Sequence, residues 1–173
     1  MVWGAFVGLT GALAGDGERA LRASRACLEA DPDMTFSFLS VYARIIHGWA
    51  TTMAGDHDTG IAEMQAFITV FRGQSTRSGE HSIQAVLADA LLAAGRIDEA
   101  DEALVAAAQS IVLHGQNYAE PLILLLRAQV HHARGGTPPE VRTLIGRARA
   151  MACEREAFLY ARRADEFEAT LTG

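Results

Sequence analysis

Apolar residues recur at three- and four-residue steps along nearly the whole chain. In residues 82–94, Ile83, Val86, Leu87, Ala90 and Leu91 share one face. In residues 99–114, Ala100, Ala103, Leu104, Ala107 and Ile111 do the same. This is helix spacing, because about 3.6 residues complete a turn. Gly95-Arg96-Ile97-Asp98 stands between the two stretches. Glycine suits the position just past a helix end, where positive φ costs other residues more. Asp98 is the predicted N-cap of the second helix, and Gly115 its stop. The same pattern predicts a helix over 36–54, Asp58 as cap, and a second helix over 60–71 that stops at Gly73. Before these, a helix over 18–30 is closed by Asp31-Pro32, since proline cannot continue a helix and disfavours helical geometry before it.

These units keep a 40-residue step. Gly15, Gly55, Gly95 and Gly135 recur at it, and so do Gly8, Gly48, Ala88 and Ala128. A fixed period of this size marks a solenoid of stacked helical hairpins. The fourth unit starts its second helix at Pro138-Pro139, with Val141, Ile145 and Ala148 shifted by a single inserted position. Proline suits a first helical turn, so the unit survives. Residues 154–171 read as a last helix, with Phe158, Leu159, Ala161, Phe167 and Leu171 inward and a polar outer face. The expected fold is therefore all-α: a single domain over 1–173, with repeats at about 1–33, 34–73, 79–115 and 118–153 and a C-terminal capping helix at 154–171. Small residues at the crossings (Gly8, Gly48, Ala88 and Ala128 on the first helices; Ala20, Gly60 and Ala100 on the second) let helices approach closely.

Composition sharpens this reading. Alanine is the commonest residue and lysine is absent, so all 15 basic side chains are arginine. Alanine is the strongest helix former. The net charge of −6 argues against nucleic acid or an anionic membrane as partner. That charge is uneven: residues 1–119 hold 7 Arg and 14 acids, whereas 120–173 hold 8 Arg and 7 acids. Arg142, Arg147, Arg149, Arg155, Arg162 and Arg163 form either a solvated face paired with Glu154, Glu156 and Glu166 or a docking surface. Cys27 and Cys153 lie far apart with no C-x-x-C setting, which fits reduced thiols and a cytoplasmic location. Residues 1–14 are apolar and end in Ala12-Leu13-Ala14, yet carry no basic start and are too short to span a bilayer. The apolar run 121–126 stops at Arg127, so no membrane segment is expected.

The first unit combines Gly8, Gly15-Asp16, Ala20 and Asp31-Pro32. The third has Leu87-Ala88, then Ala-Gly-Arg-Ile-Asp-Glu-Ala, then Leu104. This order of small residue, Gly turn, small residue and closing Pro resembles the tetratricopeptide repeat, over nearly all the chain. The step here is longer than the family's usual period of about 34. Gly48-Trp49-Ala50, Gly55-Asp56 and Gly60-Ile61-Ala62-Glu63 make the longer unit similar to the helical repeats C-terminal to the ATPase module of large bacterial regulators. Those are maltose-regulator-like LuxR-type activators and adenylate/guanylate cyclase–ATPase fusions. The family's usual aromatic positions are small or polar here, as at Gly11, Thr51 and His131. The resemblance implies a right-handed superhelix and a fragment of a larger bacterial signalling or transcription regulator.

A solenoid of this kind binds along its concave face, lined by the first helix of each pair. By repeat position, Tyr42, Ile45, Trp49, Ser82, Asp89, Gln129 and His132 line it. Tyr42 and Trp49 share a face two turns apart, and rigid aromatics with a polar tip are typical anchors. Trp49 packed between repeats is the alternative. The lysines and arginines of a peptide-carboxylate clamp are missing from this face. Trp3 and Phe6 lie on an uncapped first helix and form an expected assembly end, for a neighbouring domain or a homodimer.

Catalytic chemistry is not expected. No G-x-S-x-G, P-loop or G-x-G-x-x-G occurs, and Gly15-Asp16-Gly17 follows a helix. Asp98, Glu99, Asp101 and Glu102 sit where they complement a helix dipole. His131 and His132 point about 100° apart on a helix. His47, His57, His81 and His114 have no partner at i+4, and no ligand motif accompanies them, so neither metal nor cofactor is expected. The expected function is a non-catalytic scaffold for protein, peptide or interdomain contact. A small-molecule or peptide sensor using the concave groove is the alternative, and an enzyme comes last.

Overall fold

Left-handed glycines punctuate the chain at the predicted step. Gly15, Gly55, Gly95 and Gly135 have φ of 77, 103, 72 and 83°, a region where a side chain is strained. The structure, a computed structural model, describes residues 2–74 and 77–171. Among these it holds nine helices: α1 (Val2–Ala14), α2 (Gly17–Ala30), α3 (Ser37–Met53), α4 (His57–Gly73), α5 (Glu80–Ala93), α6 (Ile97–His114), α7 (Glu120–Ala133), α8 (Pro138–Glu154) and α9 (Phe158–Thr170). No described helix is long and apolar enough to cross a membrane.

The caps differ in detail from the sequence reading. Asp56, not Asp58, caps α4 and accepts from the Thr59 N–H at 3.4 Å. Arg96 holds the cap position of α6, and its guanidinium pairs with Glu99 instead of capping. Asp58 and Asp98 fall in the first turns, where carboxylates complement the helix dipole. Asp16 caps α2 through the Arg19 N–H at 3.0 Å. Thr137 and Glu140 form a capping box ahead of α8. The last helix starts at Phe158, not Glu154, because α8 runs on to Glu154 and Glu156 turns into positive φ (55°). Asp31 ends α2 and then orders the following loop. Its carboxylate accepts from Thr35 N at 2.8 Å, Phe36 N at 3.0 Å and the Ser40 hydroxyl. The Ser40 hydroxyl contributes most to holding its pKa below the usual carboxylate range, against the opposing effect of burial.

Four hairpins result: α1/α2, α3/α4, α5/α6 and α7/α8. Each first helix packs on the first helix of the next hairpin, α1 on α3, α3 on α5 and α5 on α7. A close crossing lies within the second hairpin. A Cβ on Gly48 would stand 2.6 Å from the Gly60 carbonyl, and one on Gly60 2.4 Å from the Gly48 carbonyl. Ala20, Ala88, Ala100 and Ala128 are fully buried at related positions. The main core runs through the molecule and includes Ile45, Trp49, Phe71, Leu104 and Leu126. Burying each such side chain contributes roughly 1.5–3 kcal/mol. A smaller core joins α7, α8 and α9 through Leu125, Val141, Ile145 and Ala164.

The ninth helix does more than cover the fourth hairpin. It packs on α8, touches α7 and returns to α1. The Arg162 guanidinium donates to the Ala14 carbonyl at 3.0 Å, and that of Arg163 to the Leu13 carbonyl at 3.3 Å. These carbonyls end α1 and would otherwise lack helical donors. First and last hairpins are thereby joined.

Candidate functional site

The residues expected on an open inner face divide into three groups. Trp49 and Asp89, one repeat apart, meet: the indole N–H donates to Asp89 Oδ2 at 3.1 Å. Arg163 of α9 covers them and donates to Asp89 Oδ1 at 2.7 Å. Both charged side chains are 11% exposed. Trp49 is 1% exposed and Ile45 fully buried, so both pack as core between repeats. At one end, Gln129 lies partly buried near Asp89, Met53 and Phe167, and exposed His132 meets Phe167 edge-on at 5.9 Å. At the other end, Tyr42 belongs to a different site, while Ser82 is fully buried and supports that site only through its hydrogen bonds to Gly79 and Tyr118.

That site is a cavity of about 470 Å³ beside α1, where α3, α5, α7 and α9 begin. Leu9 and Leu13 of α1, Phe38 and Leu39 of α3, and Leu159 of α9 form its apolar wall. Tyr42, Tyr118 and Tyr160 line it together with Ser78 and Gly79, and no charged side chain does. Phe6, half exposed, also borders it, while Trp3 is 84% exposed on the same helix.

The tyrosines are positioned by local chain geometry. Tyr42 packs on Phe38 with centroids 4.9 Å apart and meets Phe71 edge-on at 5.7 Å. Its hydroxyl donates to the Ser78 carbonyl at 2.5 Å. Gly79 caps α5 at φ 77°, and a Cβ there would lie 2.2 Å from the Tyr42 oxygen and 3.0 Å from that of Tyr118. Glycine is required by both conformation and space. Gln116 holds this turn by accepting from the Gly79 N–H at 2.7 Å. The Ser82 hydroxyl donates its one proton to the Gly79 carbonyl at 2.8 Å, so the Tyr118 hydroxyl donates to Ser82 Oγ, also at 2.8 Å. Burial pushes the pKa of all three tyrosines up. They are neutral hydroxyls, suited to hydrogen bonding and not to proton abstraction. Beside them, His81 meets the Tyr118 ring edge-on at 4.3 Å, and burial pushes its pKa down to about 4.

Most of the C-terminal arginines are engaged. Arg149 pairs with Asp165 and Glu168, Arg155 with Glu120, and Arg162 with Glu166. Arg142 and Arg147 are exposed. Cys27 is buried and Cys153 exposed. Among the described residues, no group of three or more His, Cys, Asp and Glu side chains is placed to share a metal ion.

Phe38, Ser78, Gly79, Tyr118, Leu159 and Tyr160 are absent from the lining that repeat position predicts. A signal for most of them exists. Positions 38, 78, 118 and 158 keep the repeat step, as do 39, 79, 119 and 159. The first of these rows holds Phe, Ser, Tyr and Phe, and the second Leu, Gly, Ala and Leu. No protein-family model, curated protein or solved structure matches the chain.

Proposed function

We propose that the chain is a tetratricopeptide-like, right-handed solenoid acting as a non-catalytic binding module, and that it takes a small molecule in the cavity at the helix starts. The solenoid reading is supported by the constant step of left-handed glycines and by the packing of first helix on first helix. The carrying observation for function is the cavity itself. Its size falls in the range of small-molecule sites, about 300–1,000 Å³, and its lining is apolar with a few convergent hydroxyls. Its walls come from α1, from the starts of α3 and α9 and from the turns before α5 and α7, so it exists only in the assembled fold. Against a peptide along the expected inner face stands the contact of α9 with Asp89, beside Trp49, through Arg163. A cytoplasmic bacterial signalling or transcription regulator is the setting in which such an effector module would serve.

The test is a Nile red titration followed by fluorescence. Saturable binding near one dye per chain is expected, and Leu159→Trp, which fills the cavity, should abolish it while leaving the helical circular dichroism intact. Absence of saturable binding to the parent protein rejects the small-molecule reading.

A second reading has its own observation. Trp3, Phe36 and Phe158 are 84, 61 and 66% exposed at starts of odd-numbered helices. Exposed aromatics gathered at one end suit protein or interdomain docking. Light scattering tests self-association through this end: a mass above 18.5 kDa that falls to the monomer value in Trp3→Ser supports it, and a monomer at all concentrations rejects self-association.

A further inference from the structure

One polar group in the cavity has no work to do in the fold. Tyr160 is 4% exposed, and its ring forms part of the cavity lining. Yet its hydroxyl makes no hydrogen bond among the described residues. It is not one of the sealed, unpartnered polar atoms of the interior either, so its oxygen keeps some accessible surface on a side chain that lines the cavity. A ligand seated against it without an acceptor would leave it unsatisfied, so a ligand that accepts its proton is favoured. The other two hydroxyls are set differently. The protons of Tyr42 and Tyr118 are committed to the Ser78 carbonyl and to Ser82 Oγ. Both present lone pairs only.

The three tyrosines therefore offer one donor and two acceptors, and Thr10, whose hydroxyl donates back to its own helix, adds a further acceptor; all are neutral. A carboxylate or phosphate entering the cavity would lose its hydration and meet acceptor oxygens with no cation in the lining, since Arg163, whose charge reaches Tyr160, is already paired with Asp89 and the Leu13 carbonyl. An ammonium would find acceptors but no anion. An alcohol fits all three groups, accepting from Tyr160 and donating to Tyr118 or Tyr42. The remaining wall of Leu9, Leu13, Phe38, Leu39 and Leu159 takes hydrocarbon. We propose that the cavity binds an uncharged amphipathic molecule, a hydrocarbon body with a hydroxyl head, and that Tyr160 is its specificity-determining donor.

This inference rests on the small-molecule reading above and can fail separately from it. The experiment is displacement of Nile red from the intact protein at pH 8 by 1-decanol and by decanoate, which share a chain length and differ in head charge. Decanol is expected to displace the dye at least tenfold more tightly than decanoate. With the Nile red affinity of each variant measured first as its own reference, Tyr160→Phe should weaken decanol about five- to tenfold, leave the melting temperature unchanged and narrow the preference over decanoate. Tyr118→Phe, on a half-exposed side chain, removes an acceptor and should also weaken decanol. Equal affinity for decanol and decanoate overturns the ligand class while the cavity reading stands, and so does full decanol affinity in both Phe variants. Failure of Nile red itself to bind overturns both.

Discussion

Three glycines and a histidine carry the sharpest consequences at the scale of single residues. Gly146 sits in the interior of α8 with nothing within 4 Å of a would-be Cβ. Gly146→Ala should stabilise the protein by about 1 kcal/mol, the propensity difference alone. Gly48→Ala should do the opposite. Its Cβ would press on the Gly60 carbonyl and Met64, and strain of roughly 1–3 kcal/mol outweighs the propensity gain. Gly8→Ala, whose nearest neighbour is Ile46 Cγ2 at 3.3 Å, should be close to neutral. Denaturant titration of the three variants checks that order. His81 governs a pH effect. Its folded pKa lies near 4, against about 6.5 for an unfolded histidine. Between these values the unfolded chain binds a proton that the folded one does not, so stability falls as pH drops from 6.5 to 4. His81→Phe keeps the ring against Tyr118 and removes this contribution. Its melting temperature should change less over that window than the parent's, and equal slopes would show that His81 contributes nothing.

Among the helices, the one whose role was least legible in the sequence is α9. Its stripe of Leu159, Phe167 and Leu171 reads equally well as a terminal cover or as a strap, because amphipathicity says which side faces protein but not which protein; Phe158, expected inward with them, is 66% exposed at the helix start. Trp49 and Asp89 were placed by repeat position one step apart, but their hydrogen bond was not expected. The third member of that group, Arg163, lies far along the chain from Asp89 and obeys no step. Tyr160 escaped for the same reason. The glycine turns were legible because a left-handed residue is a local demand that composition records directly. The caps at Asp58 and Asp98 were misplaced because several polar residues crowd each helix start and more than one of them could cap. The strap has a measurable signature. Arg163→Met leaves Asp89 largely buried without its cation, a loss of about 3 kcal/mol in comparable settings. Asp89→Asn keeps the acceptor for Trp49 and drops the charge. The double variant should recover part of the loss, and a cycle with no coupling would remove Arg163–Asp89 from the account of how α9 is held.

At the scale of the molecule, each hairpin packs on the next, yet the first and last are tied together by Arg162 and Arg163 of α9 on the end of α1. Stacked repeats with neighbour contacts alone can open from either end. Here α1 and α9 should open together: hydrogen exchange in residues 5–14 and 158–168 should quicken in parallel in an Arg162→Ala, Arg163→Met variant while α4 and α6 keep their protection. The same closure decides when the cavity comes into being. Its lining is drawn from residues 5–13, 38–42, 78–79, 118 and 157–160, so its walls meet across most of the length of the chain. Local hairpins close early in folding, and contacts of such separation close late. Recovery of dye binding should therefore lag the return of helical signal in a refolding experiment. A chain emerging during synthesis would hold most of its helices before it had anywhere to put a ligand.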